Sequence, residues 1–287
     1  MLTIGKSMGM LAGLAVGDAL GAPLEFTKSR EPEDYVTEYI KGGAHDMDIG
    51  EWTDDTAMAM AMADAIIDNK GFDAFYTMKN FIKWYDEGKY IPRGECFDIG
   101  WTTQRALLKF MEDDETPYKG DRRNTSAGNG GLMRIAPVII AAPSKSVAIT
   151  WATQQTLLTH GATMAVMYSQ IFAEELWHGS PLAKYKNERH DLDIPRQEVL
   201  SGGFVEETYQ CAMWAFQTTD TFEDCVIKAV NRGHDSDTCG AVAGMMAGAY
   251  YGIGNIPDHL LDNLMWKDHI LETAVDLYKI RSTGIWA

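Results

Sequence analysis

Two runs of glycine at every fourth position restrict the fold of this chain more than any other feature. The runs are Gly9, Gly13, Gly17 and Gly21 near the start, and Gly240, Gly244, Gly248 and Gly252 near the end. At helical spacing each run forms one stripe without side chains. Because glycine costs up to about 1 kcal/mol per helical site relative to alanine, two such stripes predict that the two helices approach each other closely at the centre of the fold.

A cluster of carboxylates and hydroxyls stands at the start of the second glycine helix, and a similar cluster lies far upstream. The two are the runs 234–238, His-Asp-Ser-Asp-Thr, and 53–56, Thr-Asp-Asp-Thr. In one interpretation they are helix N-caps, which favour these residue types. One cap needs only one acceptor, however, and each cluster has two carboxylates. If the two helix starts meet, their oxygens suit hard divalent cations, and a pair of magnesium or manganese ions is the leading hypothesis.

Composition indicates one domain and argues against some partners. The 287 residues are 46% hydrophobic and contain no Pro/Ser-rich linker, so we expect a single domain over residues 1–287. A formal net charge of -16 argues against nonspecific nucleic-acid binding. The four cysteines lack framework spacing and fit reduced thiols in a cytoplasmic protein. The apolar segment 11–21 is interrupted by Asp18, so neither a signal peptide nor a membrane span is predicted.

Helical periodicity dominates the chain, and alternating strand patterns are nearly absent. The sequence therefore predicts an all-α fold, an orthogonal bundle of about ten or more helices. The stretches 28–50 and 178–200 have the composition of surface loops. Predicted helices cover 3–21, 54–68, 72–87, 98–113, 132–142, 144–158, 162–177, 204–217, 221–232, 235–251 and 267–281.

Short polar motifs are spread over nearly the whole chain. They are Gly-Asp-Ala-Leu-Gly at 17–21 with Glu25 after it, Trp-Thr-Asp-Asp-Thr at 52–56, Gly-Asn-Gly-Gly-Leu-Met-Arg at 128–134, Thr-His at 159–160 and Gly-His-Asp-Ser-Asp-Thr at 233–238. In this order they resemble the motifs of the ADP-ribosylglycohydrolase family. Cys-Phe-Asp-Ile-Gly at 96–100 resembles more narrowly the dinitrogenase reductase activating branch, which removes ADP-ribose from arginine.

The resemblance implies a site for two divalent cations, Mg²⁺ or Mn²⁺. Matched position by position, the implied ligands are Thr53, Asp54, Asp55, Asp235, Asp237 and Thr238. Two cations about 4 Å apart orient vicinal hydroxyls and make a bound water more acidic. Cleavage at an anomeric carbon needs both effects.

Two further carboxylates are candidates for proton transfer. Cleavage of a bond to guanidine needs an acid near the leaving group. Asp98 is the first candidate because its motif resembles the arginine-specific branch, and the alternative is that it caps the following helix. Glu25 is the second, because it matches the family's lid glutamate, which contacts a metal or activates water. A solvated loop charge is the alternative for Glu25.

Other motif positions imply contacts with the ligand. The implied binding residues are Asn129, Gly130, Gly131, Arg134, His160 and Tyr209. The glycine-rich run matches a diphosphate-binding loop, in which backbone N–H groups approach phosphates closely. Internal pairing with an acidic residue is the alternative for Arg134, capping or core packing for His160, and core packing for Tyr209, which resembles a residue beside the adenine.

Together with the resemblance, these residues predict a dinuclear-metal hydrolase that removes ADP-ribose from modified arginine side chains and so reverses an ADP-ribosyltransferase. The expected partners are an ADP-ribosylated protein as substrate and ADP-ribose as product. Hydrolysis of O-linked or free ADP-ribose conjugates is an alternative activity. A non-catalytic ADP-ribose-binding protein is an alternative class, which loss of metal ligands would indicate, and all six implied ligands are present.

Overall fold

The computed structural model describes residues 2–178 and 194–283, so most of the predicted loop 178–200 lies outside the described residues. Within these ranges the chain forms α-helices, short 3-10 turns and isolated β-bridges, without a β-strand. The all-α prediction is confirmed. The helices are α1 (Ile4–Gly21), α2 (Asp54–Asn69), α3 (Ala74–Glu87), α4 (Trp101–Glu112), α5 (Ala136–Ala141), α6 (Lys145–Thr159), α7 (Thr163–His178), α8 (Val205–Gln217), α9 (Phe222–Val230), α10 (Ser236–Tyr251), α11 (Asp258–Asp262) and α12 (Lys267–Thr283).

The two glycine stripes face each other across α1 and α10, as their spacing predicts. A Cβ on Gly9 would lie 2.5 Å from the carbonyl oxygen of Gly248, and one on Gly17 would collide with the carbonyl oxygen of Gly240. Both contacts are with main-chain atoms, which cannot rotate away as a side chain would. The pairing runs in opposite directions along the two helices. The end of α1 therefore lies against the start of α10, where the second acidic cluster stands.

Helix α1 is apolar because it lies in the middle of the core. By length and composition Ile4–Leu24 passes as a membrane-crossing helix, with a mean hydropathy of 1.3, but 94% of that window is buried inside the fold. Helices α2, α5, α9, α10 and α12 all contact it. Its burial in this core accounts for its apolar composition.

Helix α4 begins later than the sequence predicts. Its first residue is Trp101 and its N-cap is Gly100, whereas Asp98 has a φ of 54° and lies outside the helix. The left-handed region is uncommon for residues other than glycine, and a helical pattern gives no sign of it. The alternative in which Asp98 caps this helix is therefore wrong.

Candidate active site

The start of α2 is capped by a side chain from α1. One oxygen of Asp18, Oδ1, accepts hydrogen bonds from the backbone N–H and the hydroxyl of Thr53, both at 2.9 Å. The other, Oδ2, accepts from the N–H and the hydroxyl of Thr56 at 3.0 and 2.6 Å. Burial raises the pKa of Asp18 to about 6, and these four bonds oppose that shift. Because Asp18 supplies the cap, the carboxylates of Asp54 and Asp55 are free for another role.

The two acidic clusters meet where α1, α2 and α10 converge. The hydroxyl of Thr53 lies 3.3 Å from Oδ2 of Asp237, and the hydroxyl of Thr238 donates to Oδ1 of Asp55 at 3.2 Å. The remaining oxygens, Oδ2 of Asp55 and Oδ1 of Asp237, are buried without a hydrogen-bond partner in the described structure. A buried carboxylate oxygen without a partner is costly, so these atoms fit a positively charged ligand.

The carboxylates in this corner destabilise one another's charged forms. Burial, followed by the charges of neighbouring carboxylates, raises the pKa of Asp54, Asp55 and Asp237 well above the ordinary value. Burial also raises the pKa of Asp235, and a hydrogen bond from Asn129 opposes that shift. A bound cation would remove this conflict, because it favours the ionised form of each neighbour.

Overlapping groups of oxygen donors show where cations fit. One oxygen from each of Glu25, Asp235 and Asp237 lies within 4.8 Å of the other two, and the same holds for Asp54, Asp98 and Asp237. The donors in both groups are carboxylate oxygens, which magnesium and manganese prefer over softer ligands. The side chains present therefore fit divalent cations, and Asp237 belongs to both groups.

A histidine that sequence reasoning missed joins the two candidate catalytic carboxylates. Nε2 of His45 lies 3.0 Å from Oε2 of Glu25 and 3.1 Å from Oδ1 of Asp98. Hydrogen bonding to Asp98 and then to Glu25 raises the pKa of His45 to about 10. Burial, with the charge of Asp98, raises the pKa of Glu25 to about 8, although the bond to His45 opposes it. Glu25 is only 7% exposed, so it is not a solvated loop charge.

Asn129 is linked to the site by a hydrogen bond to Asp235. Its side-chain amide donates to Oδ2 of Asp235 at 2.8 Å and to the hydroxyl of Thr208 at 2.9 Å, and its backbone N–H donates to the carbonyl of Gly203 at 3.1 Å. Asn129 thus orients a candidate metal ligand. The next two residues, Gly130 and Gly131, have backbone N–H groups without an acceptor among the described residues.

His160 lies directly beneath this glycine loop. A Cβ on Gly130 would lie 2.6 Å from Cε1 of its ring, so a larger residue there would have to displace the imidazole. Nδ1 of His160 shares a hydrogen bond with the Thr159 hydroxyl at 2.8 Å. Burial, with the nearby charge of Arg134, lowers the pKa of His160 to about 3. The ring is therefore neutral at physiological pH, and it supports the loop from below.

The side chain of Arg134 is fully buried and is held by contacts inside the fold, and its contact with a phosphate stays a prediction. Its Nε donates to Oε1 of Gln155 at 3.1 Å, and its Nη2 donates to the Gln155 carbonyl at 3.1 Å and the Thr159 hydroxyl at 2.7 Å. The guanidinium also lies 4.7 Å from the centre of the Phe81 ring. With the Sδ of Met58, 3.4 Å from Nη1, its hydrogen-bond partners are an amide, a carbonyl, a hydroxyl and a thioether, rather than the acidic residue considered as the alternative. Arg134 fixes the end of the glycine loop to α6.

Tyr209 lies half-buried in a group of aromatic rings between α7 and α8. Its hydroxyl donates to the Glu175 carboxylate at 2.7 and 2.9 Å, and its ring centre lies 5.1 Å from that of Tyr168 and 6.2 Å from that of Phe172. These contacts are those of a packing residue. A contact with adenine stays a prediction.

Comparison with known proteins agrees with this geometry. The family model described as ADP-ribosylglycohydrolase matches residues 3–284. The chain is 34% identical over 298 residues to ADP-ribosylarginine hydrolase Tri1 of Serratia proteamaculans (strain 568), covering 96% of this chain and 80% of that protein. It is 30% identical over 279 residues to the ADP-ribosyl-[dinitrogen reductase] glycohydrolase of Rhodospirillum rubrum, covering 91% of each.

Solved structures give the same result. One described as an ADP-ribosylglycohydrolase-related protein complex superposes with a TM-score of 0.82 at 32% identity, covering 97% of this chain and 98% of that one. The match therefore extends over both acidic clusters and the glycine helices that bring them together. The chain belongs to the ADP-ribosylglycohydrolase family.

Proposed function

We propose that this chain hydrolyses the N-glycosidic bond between ADP-ribose and an arginine side chain of a modified protein. The observation that carries the proposal is the position of Asp98, whose Oδ2 is buried and unpaired while the residue shares a donor group with Asp54 and Asp237. A carboxylic acid beside a cation site is what protonation of a leaving guanidine requires. The activities for which the Serratia and Rhodospirillum proteins are named support the same substrate class.

Two divalent cations, Mg²⁺ or Mn²⁺, are part of this proposal. The residues that would hold them are Thr53, Asp54, Asp55, Asp235, Asp237 and Thr238. Glu25 and Asp98 each have an oxygen within 4.8 Å of two carboxylates of this set. When bound, such cations act as Lewis acids and orient the ribose hydroxyls.

The chain's own carboxylates account for the protons in the reaction. Water adds to the anomeric carbon, the bond from that carbon to the guanidine nitrogen breaks, and the guanidine leaves with a proton. Asp98 supplies the proton at the leaving nitrogen, and Glu25 accepts one from the attacking water. Both side chains contact Nε2 of His45, which places the proposed acid and base close to each other.

Binding of an anionic ligand by a chain of net charge -16 needs local donors. The backbone N–H groups of Gly130 and Gly131, which have no acceptor in the part of the chain that the structure describes, are such donors, and Gly130 packs on a neutral histidine ring. Backbone N–H groups bind phosphate without adding a charged side chain. We assign the diphosphate to this loop.

The test is release of free ADP-ribose from arginine-linked and serine-linked target peptides, with and without Mn²⁺ or Mg²⁺. We expect release from the arginine-linked peptide only, and only with a cation. Asp98→Asn should keep Mn²⁺ affinity and slow release, whereas Asp68→Asn, at the exposed far end of α2, should match the wild type. Release from the serine-linked peptide alone would favour the O-linked alternative, and release from neither would contradict a hydrolase.

A further inference from the structure

His45 stands at the tip of a tightly built turn. Gly42 and Met47 exchange two backbone hydrogen bonds at 2.9 and 2.8 Å, which close the turn around it. Gly43, with a φ of 78°, packs so closely on Pro23 that a Cβ would lie 2.6 Å from the Pro23 carbonyl oxygen. The turn is therefore seated on the segment that leads into Glu25.

Arg93 contacts both this turn and the segment that carries Asp98. Its Nη1 donates to the carbonyl oxygen of His45 at 3.0 Å, while Nε and Nη2 donate to the two oxygens of Glu51 at 2.8 and 2.7 Å. The guanidinium lies 3.8 Å from the centre of the Phe97 ring, directly before Asp98 in the chain. The Phe97 ring in turn lies 5.6 Å from the ring of His45. Backbone and ring of His45 are thus both held in place.

The two carboxylate oxygens of Asp98 have different surroundings, because only one of them contacts the imidazole of His45. Oδ1 contacts Nε2 of His45, whereas Oδ2 is buried and unpaired in the described structure. A ring nitrogen carries one hydrogen at most, so Glu25 and Asp98 share a single donor. Asp98 also has a left-handed backbone, which persists only when surrounding contacts impose it.

We infer that His45 is a positioning residue, which holds Oδ1 of Asp98 so that Oδ2 faces the leaving group. The inference rests on the proposed function and adds to it the element that orients the acid. His45 itself does not contact the substrate. Arg93 acts one step further away, because it fixes the backbone of His45.

The central experiment compares His45→Ala and His45→Gln with the wild type on the arginine-linked peptide, and measures Mn²⁺ affinity by calorimetry. We expect His45→Ala to lower kcat about 10- to 100-fold, as the loss of an orienting partner does, with KM changed by less than about threefold. Gln should recover part of the loss because its amide can still donate to a carboxylate. His259→Ala, an exposed histidine paired with Glu223, should behave as the wild type.

Three results would overturn the inference. They are a wild-type kcat in His45→Ala, a kcat in His45→Gln no higher than in His45→Ala, and a clear loss of Mn²⁺ affinity in either variant. The last would make His45 part of a cation site with Glu25 and Asp98, since their ligand atoms also lie within 4.8 Å of one another.

The role of Arg93 is tested by a double-mutant cycle. If Arg93 acts through His45, Arg93→Met should lower kcat in the wild type but hardly at all in the His45→Ala background. Additive losses in the double variant would show that the two residues act independently, and would contradict the action of Arg93 through His45.

Amide hydrogen exchange needs no enzymatic turnover, so it tests this inference separately from the proposed function. We expect amide hydrogens in residues 94–100 to exchange faster in His45→Ala than in the wild type, because the segment loses its link to the turn. If wild-type protein releases no ADP-ribose from the arginine-linked peptide, the proposed function fails. Unchanged exchange in His45→Ala would overturn the positioning role whatever the activity.

Discussion

Oδ1 of Asp18 accepts hydrogen bonds from both the backbone N–H and the hydroxyl of Thr53, each at 2.9 Å, although the two residues belong to different elements. The contact caps α2 and fixes its start against α1. Since the same hydroxyl lies 3.3 Å from Oδ2 of Asp237, the cap also sets the position of a candidate metal ligand. One buried carboxylate thus links helix stability to the geometry of the site.

Asp18→Ala should weaken both the fold and the site. It leaves buried donors of Thr53 and Thr56 unpaired, and we expect the free energy of unfolding to fall by about 2 kcal/mol, measured by urea denaturation. Mn²⁺ affinity should fall as well because the start of α2 is no longer fixed. Asp18→Asn keeps one acceptor, so its free energy of unfolding and its Mn²⁺ affinity should lie between those of the wild type and Asp18→Ala. An Asp18→Ala protein with wild-type Mn²⁺ affinity would show that the cap and the site are independent.

Gly17→Ala should destabilise the contact between α1 and α10. Its Cβ would collide with main-chain atoms of Gly240, and we expect a loss of about 2 kcal/mol or more, seen as a lower Tm. Gly5→Ala is the matched control, because Gly5 continues the same stripe but its Cβ would meet nothing closer than 4.0 Å. That substitution should be neutral or slightly stabilising through helix propensity. Equal melting temperatures for the two variants would contradict close backbone packing.

Asp237→Asn should separate stability from cation binding. In the absence of cations it removes one of several mutually repelling buried carboxylates, all with raised pKa values, so Tm in EDTA should rise. With Mn²⁺ the variant should have a lower Tm than the wild type, because it lacks a carboxylate that belongs to both donor groups. We expect its Mn²⁺ binding to be at least about tenfold weaker, or 1.4 kcal/mol. Calorimetry and thermal melting measure the two effects. A lower Tm in EDTA would show that the carboxylate is stabilising without a cation.

The stability of the cation-free protein should depend on pH through Glu25. Its pKa is raised from 4.5 to about 8 in the fold, so the folded state retains a proton that the unfolded state releases. This contribution to stability is fully present below pH 4.5 and is lost as the pH rises through about 8. In EDTA, Tm should therefore fall more steeply between these pH values in the wild type than in Glu25→Gln. Identical slopes would contradict the raised pKa.

Arg134→Lys should act on stability rather than on binding. Lysine cannot reproduce the fork that reaches Gln155 and Thr159, and we expect a loss of about 2 kcal/mol in the free energy of unfolding. The KM for the arginine-linked peptide should change little at a temperature where the variant is folded. A large rise in KM with unchanged stability would show that Arg134 contacts the ligand.

The features that sequence reasoning predicted are those with a strong local signal. Glycine at four-residue spacing inside a helix is costly, so its recurrence in Gly9 to Gly21 and Gly240 to Gly252 indicates a close partner. The surplus of carboxylates beyond one cap predicted that the clusters around Asp55 and Asp237 meet, and the structure brings them together.

The features that it missed have no such signal. His45 is a single histidine in a polar stretch, and its contacts with Glu25 and Asp98 depend on the turn between Gly42 and Met47. The left-handed backbone of Asp98 is imposed by tertiary contacts, so a helical pattern placed it inside α4. Arg134 belongs to a phosphate-loop motif in the sequence, and the motif gives no sign that its side chain is fully buried against Gln155 and Thr159.

The antiparallel pairing of α1 with α10 also constrains the order of folding. Gly9 touches Gly248, almost the full length of the chain away, so a contact this remote forms late and slowly. A nascent polypeptide still lacking its last helices has half of the acidic corner and nothing to align it. Cation binding should therefore begin only after Ser236–Tyr251 has left the ribosome.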